Sequence, residues 1–127
     1  MIFSIIITTY NYEKYIIESI DSALNQDFLG EYEVIVVDDC STDNTQLILN
    51  SYDSIVRVNN EMNLGLEVSA NNGIKKAGGK YVVRLDADDY LEENFLSEMS
   101  KHIENEDTFY YGNYTSVSED GSYLSKV

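Results

Sequence analysis

The feature that most constrains the fold is a fourfold alternation of short apolar runs with segments of helical periodicity. Each run is rich in Ile or Val and is apolar at nearly every position rather than at alternate ones. Strands that are apolar on both faces are typical of a parallel sheet covered by helices on both sides. The four runs lie at residues 2–7, 33–37, 55–58 and 81–85. The sequence therefore predicts an α/β fold, with a mostly parallel sheet and helices on both faces.

Local signals predict where the first two helices begin. Asn11 is the expected N-cap of the helix after the first strand, because apolar residues then recur at helical spacing on one face. Asp43 is the expected N-cap of the second helix, with Gln46 in the capping-box position. The residues of the first helical face are Tyr12, Ile16, Ile20 and Leu24.

The second half of the chain continues the same pattern. A helix is predicted over residues 66–77, because the Gly78-Gly79 pair that follows supplies a stop. A fourth helix carries the apolar residues between Leu91 and Ile103. A last strand is predicted over residues 109–115, followed by a hairpin turn at residues 118–121.

The charge composition of the chain limits which kinds of molecule it can bind as its main partner. The chain has 127 residues, with 8 basic against 23 acidic side chains and a net charge of −15. Such an excess of negative charge disfavours nucleic acid or an anionic membrane as the main partner, and it suits a protein that collects cations. The single cysteine, Cys40, excludes an internal disulfide, and the first apolar run is too short for a signal peptide or membrane span. We therefore expect a cytoplasmic protein that does not bind nucleic acid.

Each predicted strand is apolar until its C-terminal end, where polar residues follow at once. In an open parallel sheet these ends form one edge, and ligands bind along it. Several carboxylates on one edge repel each other, and a bound divalent cation relieves that repulsion. The polar residues at the predicted edge are Thr8, Thr9, Tyr10, Asn11, Asp38, Asp39, Asn59, Asn60, Asp86, Asp88 and Asp89.

The spacing of Asp86 and Asp88 suits a shared metal ion. If the backbone stays extended, residues i and i+2 point to the same side of the strand. Ligand sets made only of oxygen favour magnesium or manganese over zinc. Asp89 adds a third carboxylate to this segment. Because a helix cap needs only one carboxylate, the three together predict a metal site. Asp43, by contrast, is expected only to cap a helix.

Four segments, each at a strand end and in the same order, resemble the motifs of family 2 glycosyltransferases with the GT-A fold. They are 4–11 (SIIITTYN), 36–45 (VVDDCSTDNT), 63–65 (NLG) with 70–74 (ANNGI), and 85–89 (LDADD). The resemblance extends to about residue 115. It implies a Rossmann-like GT-A fold in which residues 1–127 form a single domain, the donor-binding half of the enzyme. The implied reaction is the inverting transfer of a sugar from a nucleotide diphosphate sugar to a saccharide or other hydroxyl acceptor, as in polysaccharide biosynthesis.

The resemblance also implies a role for each matching residue at the nucleoside. Tyr10 would lie against the base, with Thr8 beside it. Asp39 would accept a hydrogen bond from a base N–H group, with Asp38 close by. A carboxylate that reads an imide N–H favours uridine, so we expect a UDP-sugar as the donor.

The diphosphate is expected to bind through a divalent metal ion, Mn²⁺ or Mg²⁺. By resemblance, Asp86 contacts the ribose and the metal region, and Asp88 ligates the ion that bridges the two phosphates. Asp89 is expected to support Asp88 or to replace it as a ligand.

The catalytic residue stays unknown. In similar enzymes the general base comes from a later segment, together with most of the acceptor site. Glu119 and Asp120 imitate the relevant dipeptide, but Gly121 follows them in a predicted turn. We therefore expect the 127-residue chain by itself to transfer no sugar at an appreciable rate. The alternative is a nucleotide-sugar-binding module, or a fragment, without transferase activity of its own.

Two further associations are expected. The sheet edge near residues 109–114 carries exposed tyrosines and invites pairing with a second chain, so a homodimer is predicted there. Peripheral association with the cytoplasmic face of a membrane would require segments outside this chain.

Overall fold

The fold was analysed in a computed structural model, which describes residues 1–103, 115–117 and 123–126. Four strands and four helices alternate along residues 1–103, and a short pair of strands follows. The elements are β1 (Phe3–Thr9), α1 (Ile16–Leu24), β2 (Tyr32–Asp38), α2 (Thr45–Leu49), β3 (Val56–Asn59), α3 (Leu66–Lys76), β4 (Tyr81–Asp86), α4 (Phe95–His102), β5 (Thr115–Val117) and β6 (Tyr123–Lys126).

The first four strands form one parallel sheet in the order β3-β2-β1-β4. The chain moves outward from β1 to β2 and β3 and then returns to place β4 on the other side of β1. The strand order therefore reverses between β1 and β4, which is where open α/β sheets bind ligands. β5 and β6 form a separate antiparallel pair. The predicted α/β fold with a parallel sheet is confirmed.

Alternate residues of β1 enter two different cores. Ile5 and Ile7 belong to the larger core, which includes buried residues of α1, α2 and α4. Ile6 belongs to a smaller core with Ile35 and Val37 on the opposite face. All seven residues of β1 are buried, because helices cover both faces of this central strand.

The helix α3 lies close to the sheet because it presents a glycine to it. A Cβ atom at Gly73 would lie 2.7 Å from Cγ2 of Ile6 and 3.0 Å from Cγ2 of Val37, both closer than carbon atoms normally approach. The adjacent Ile74 is exposed, so the close helix contact depends on Gly73 rather than on Ile74.

The helix cap predicted at Asn11 is wrong, and the one predicted at Asp43 differs in its position and lacks the capping box. α1 begins at Ile16 after Tyr15, so Asn11 is not its N-cap; it has a left-handed φ of 57° and bonds to another loop. α2 begins at Thr45 after Asn44, and the Gln46 side chain bonds to the Ser41 carbonyl instead of completing a capping box. At Asn11, a contact between loops replaces the local interaction that the sequence pattern suggested. Asp43 still accepts a hydrogen bond at the start of α2, from the N–H of Thr45 to its Oδ1 atom at 2.9 Å.

Other element boundaries differ by a few residues. β1 extends through Thr9, and α4 begins only at Phe95. Predicted residues 109–114 and the turn at 118–121 lie outside the described residues, although the flanking segments β5 and β6 pair antiparallel. None of the helices in the described ranges combines the length and the apolar character that crossing a bilayer requires.

Candidate functional site

The register of the parallel sheet brings the predicted edge residues together. Thr9 is paired with Asp38, and Thr8 with Asp86, so β1, β2 and β4 end at the same level. Asp38 is paired with Asn59 at the end of β3. Polar residues that are far apart in the sequence therefore share one rim, and the reversal between β1 and β4 lies at its centre.

The residues that end β1 differ in their exposure. Thr8 and Thr9 are buried, whereas the next residue, Tyr10, leaves 37% of its surface exposed. Tyr10 is therefore an accessible aromatic ring at the rim, and its flat face is suited to stacking on a planar ligand.

Asp39 is 1% exposed and fully engaged with the segment that follows β3. Its carboxylate accepts hydrogen bonds from the backbone N–H groups of Leu64 at 2.7 Å and Gly65 at 2.9 Å, and from Asn60 Nδ2 at 2.9 Å. Burial by itself would raise the pKa of Asp39, but these hydrogen bonds outweigh it and hold the pKa below its usual value of 3.8. Gly65 has a φ of 93°, a conformation that glycine adopts without strain.

Asp38 is also buried, and it organises the loop that follows β2. Its Oδ1 atom accepts hydrogen bonds from the Ser41 hydroxyl at 2.6 Å and from the Ser41 N–H at 3.3 Å. Its Oδ2 atom is buried without a hydrogen-bond partner in the described part of the chain, as is Oγ1 of Thr9 beside it. We name Asp38 and Asp39 the β2 pair.

Asn11 joins the loop after β1 to the loop after β2. Its Oδ1 atom accepts hydrogen bonds from the N–H groups of Thr42 at 2.7 Å and Asp43 at 3.3 Å. Its own N–H donates to the Ser41 hydroxyl at 2.9 Å. Asp43 completes the connection, because its Oδ2 atom accepts a hydrogen bond from the N–H of Glu13. Burial would raise the pKa of Asp43, but its hydrogen bonds lower it overall.

The three carboxylates at the end of β4 and in the turn that follows it form an exposed cluster. One oxygen atom from each of Asp86, Asp88 and Asp89 lies within 4.8 Å of the other two. Residues 87–88 form a turn rather than an extended segment, so the side chains converge through the turn and not through strand alternation as predicted. We name these three residues the β4 cluster.

The backbone of the β4 cluster is fixed by α1 and by its own turn. The Asp89 N–H donates to the Asp86 carbonyl at 3.0 Å, and the Ser19 hydroxyl donates to the same carbonyl at 3.2 Å. A second serine of α1, Ser22, accepts a hydrogen bond from the N–H of Leu91. The turn is therefore anchored at both ends while its carboxylates face solvent.

The charges in the β4 cluster oppose one another. Partial burial raises the pKa of Asp89, and the nearby charges of Asp88 and then Asp86 raise it further. Hard oxygen ligands, mutual repulsion and access from solvent are the properties of a site for a divalent cation such as Mg²⁺ or Mn²⁺. The residues present therefore fit the predicted ion.

The comparisons with known proteins agree with this arrangement. Residues 4–126 match the model of the family described as Glycosyl transferase family 2. The chain belongs to this family. The predicted family and the predicted GT-A fold are thus confirmed, because its solved relatives are GT-A glycosyltransferases.

Two curated relatives illustrate the similarity. The chain is 39% identical over 115 residues to poly(ribitol-phosphate) beta-N-acetylglucosaminyltransferase TarS of Staphylococcus aureus, covering 82% of this chain and 19% of TarS. It is 35% identical over 128 residues to the putative teichuronic acid biosynthesis glycosyltransferase TuaG of Bacillus subtilis, covering 97% of this chain and 50% of TuaG. The chain therefore spans half or less of the length of these two relatives.

Solved structures of family members have the same fold. S. aureus TarS 1–349 in complex with UDP superposes with a TM-score of 0.74 at 40% identity, covering 80% of this chain and 31% of that one. The mannosyltransferase PcManGT from Pyrobaculum calidifontis, in complex with GDP-Man and Mn²⁺, superposes with a TM-score of 0.68 at 29% identity. That match covers 78% of this chain and 31% of PcManGT.

Sequence reasoning missed the residues that support the rim. Asn11 was interpreted as a helix cap, and the contribution of Ser41 was not foreseen. Asn60 was placed at the rim, but its bond to Asp39 was not predicted. The one local signal for Asn11 is its residue type, since Asn is enriched at positive φ. His102 is exposed on α4, and the Cys40 thiol donates to the Glu61 carbonyl.

Proposed function

We propose that this chain is the donor-binding part of a glycosyltransferase, and that it binds a UDP-sugar together with a divalent cation at the rim. The observation that carries the proposal is the convergence of Asp86, Asp88 and Asp89 beside the reversal point of the sheet. Membership of glycosyl transferase family 2 supports it, as do the relatives solved with UDP, UDP-GlcNAc and GDP-Man.

The nucleoside binds at the β1 and β2 side of the rim. Tyr10 stacks on the base, because its ring is the exposed aromatic surface at the end of β1, and Thr8 lies beside it. Asp39 reads a base N–H group in exchange for one of its present donors, because hydrogen bonds from Leu64, Gly65, Asn60 and Ser69 already fill the roughly four acceptor sites of its carboxylate. Because Asp39 is nearly inaccessible, this contact requires the segment around Leu64 to shift when the base enters.

The diphosphate binds at the β4 side of the rim. Asp88 and Asp86 hold the cation, and Asp89 supports them as a third carboxylate. When bound, the ion supplies positive charge that stabilises the departing diphosphate. The three side chains bring the negative charge that holds the ion, and the α1 serines keep their backbone in place.

The proposed reaction is the inverting transfer of the sugar to a saccharide or another hydroxyl acceptor. Residues 1–127 form the donor half of one domain. The general base is a residue other than those assigned above to the nucleoside and to the cation. A second candidate function, nucleotide-sugar binding without transfer, uses the same rim. The similarity to TarS and TuaG favours the transferase, because both are named as glycosyltransferases and TuaG is named for teichuronic acid biosynthesis.

Calorimetric titration of the protein with UDP, with and without Mn²⁺, tests the proposed donor site. We expect clear binding with Mn²⁺ and much weaker binding without it. Equal affinities would remove the cation from the proposal, and no binding in either condition would refute the donor site. The 127-residue chain by itself is expected to form no glycosylated product under either candidate function. The two candidates are therefore separated by incubating labelled nucleotide sugars and saccharide acceptors with a version extended past Val127, since only the transferase then yields a glycosylated product.

A further inference from the structure

The two rim loops that follow β1 and β2 share an unusual backbone feature. Tyr10 is followed by Asn11 at a φ of 57°, and Asp39 is followed by Cys40 at a φ of 64°. These are the two non-glycine residues with positive φ among the described residues. Positions of this kind are sparsely populated and persist where surrounding contacts enforce them. Each of these two residues directly follows a residue assigned to the nucleoside.

Asn11 supplies the contacts that enforce this geometry. Its side chain accepts hydrogen bonds from two consecutive N–H groups, those of Thr42 and Asp43, and its Nδ2 atom donates to Oγ1 of Thr42 at 3.2 Å. The side chain of Asn11 thus forms hydrogen bonds with the backbone of the loop after β2. Asn is suited to this position because it tolerates the left-handed conformation while its amide can both donate and accept.

A buried carboxylate extends the connection into the sheet. The N–H of Asn11 donates to the Ser41 hydroxyl, and that hydroxyl donates to Oδ1 of Asp38 at 2.6 Å. The hydroxyl is therefore oriented by the buried carboxyl group of Asp38, which lies at the end of a strand paired with β1. The chain of bonds from Asn11 through Ser41 to Asp38 joins the exposed loop to the rigid end of β2.

We propose that Asn11 is a positioning residue, which locks the two loops together so that Tyr10 and Asp39 hold their geometry before the nucleotide binds. The inference rests on the proposed function, since the ligand being positioned is a nucleoside diphosphate. Ordering these loops in advance lowers the entropy cost of binding. Asn11 contacts loop atoms rather than the nucleotide, so its effect on affinity is indirect.

Three variants separate the side-chain bonds from the backbone conformation. Asn11→Gly adopts the positive φ freely and removes every side-chain bond, whereas Asn11→Asp retains the acceptor for the N–H groups of Thr42 and Asp43. Ser41→Ala removes the hydroxyl, in the loop after β2, that accepts a hydrogen bond from the Asn11 N–H and donates one to Asp38. Asn25→Gly is the matched control, because Asn25 is an exposed asparagine at the end of α1, outside both loops.

Two measurements test the proposal. In calorimetric titration with UDP and Mn²⁺, we expect Asn11→Gly and Ser41→Ala each to weaken binding by about tenfold. Asn11→Asp and Asn25→Gly should stay within about threefold of the wild type. In hydrogen exchange without ligand, the N–H groups of Thr42 and Asp43 should exchange faster in Asn11→Gly and Ser41→Ala only. A purely structural role would lower the melting temperature without changing UDP affinity.

The outcomes are distinguishable. Folded Asn11→Gly and Ser41→Ala proteins that bind UDP as the wild type does would overturn the positioning role while leaving the proposed function intact. If Asn11→Gly does not fold, Ser41→Ala decides by the same criteria. A wild-type protein that does not bind UDP would overturn the proposed function and, with it, this inference.

Discussion

The β2 pair and the β4 cluster use the same residue type in opposite ways. Asp38 and Asp39 are buried, and hydrogen bonds from loop residues engage their carboxylates. The β4 cluster is exposed, and its backbone rather than its carboxylates is held by neighbouring residues. The β2 pair therefore organises the rim, while the β4 cluster leaves its charge available to a cation.

The pKa values of Asp39 and Asp89 shift in opposite directions because of this difference in environment. Asp39 has a lowered pKa, because hydrogen bonds to its charged form outweigh the effect of burial. Asp89 has a raised pKa, because partial desolvation of this exposed residue and the charges of two neighbouring carboxylates disfavour its charged form. Proximity to a rim is thus not enough to assign a carboxylate to a metal. What decides is whether hydrogen-bond donors of the protein already occupy its oxygen atoms.

The largest expected effect is on ligand binding by Asp88→Asn. Removing one of three charged ligands should weaken UDP binding in the presence of Mn²⁺ by about a hundredfold. The stability should change by no more than about 0.5 kcal/mol, because Asp88 is exposed. Calorimetry and urea unfolding measure the two quantities, with Asp53→Asn as the exposed control. Unfolding of Asp88→Asn, or retained metal-dependent affinity, would show that Asp88 has been assigned to the wrong role.

Asp39→Ala should act on the fold, in addition to removing the proposed contact with the base. It leaves the N–H groups of Leu64 and Gly65 and the amide of Asn60 without their acceptor, which should lower the free energy of unfolding by about 2 kcal/mol. Urea unfolding with Asp53→Ala as the control measures this loss. An unchanged midpoint and slope would mean that the hydrogen bonds of Asp39 do not stabilise the rim.

The pH dependence of stability gives a smaller signal from the same residue. Because the pKa of Asp39 is lower in the folded protein, its unfolded form takes up a proton first as the pH falls. Its stabilising contribution is therefore complete above the ordinary value of 3.8 and is lost as the pH falls through the folded value. The stability difference between the wild type and Asp39→Asn should narrow in acid. A stability difference that became larger in acid would mean that the pKa of Asp39 is not lowered in the folded protein.

The smallest expected effect has the opposite sign. Asp89→Asn removes a carboxylate whose raised pKa reports unfavourable surroundings, so the metal-free protein should gain about 0.3 kcal/mol at neutral pH. The gain is small because Asp89 is exposed, and it should disappear when Mn²⁺ and UDP are added. Thermal unfolding with and without both ligands measures it, and destabilisation in metal-free buffer would contradict the account of the β4 cluster.

The sheet could be predicted from the sequence because its signals are local and repeated. Continuous apolar runs predict buried parallel strands, and the reversal from apolar to polar residues predicts which end carries the site. The convergence of Asp86, Asp88 and Asp89 was also predicted, although its cause is a turn at residues 87–88 rather than an extended strand.

Most contacts within the rim could not be predicted, because they join residues 21 to 32 positions apart. The pattern at Asn11 favours a helix cap, and only the structure shows that it bonds to Thr42 and Asp43 instead. Likewise, the adjacent aspartates of the β2 pair look as available for a ligand as those of the β4 cluster. Their burial depends on the loop segments that fold over them, and no local signal reports it.

Anomalous diffraction from crystals grown with Mn²⁺ and UDP tests the central claim most directly, because it locates the cation among the carboxylates of the rim. The account predicts a manganese peak within coordination distance of Asp88, with Asp86 or Asp89 as a further ligand, and none at Asp38 or Asp39. A manganese ion bound to the β2 pair, or UDP bound at the rim with no manganese beside the β4 cluster, would contradict it.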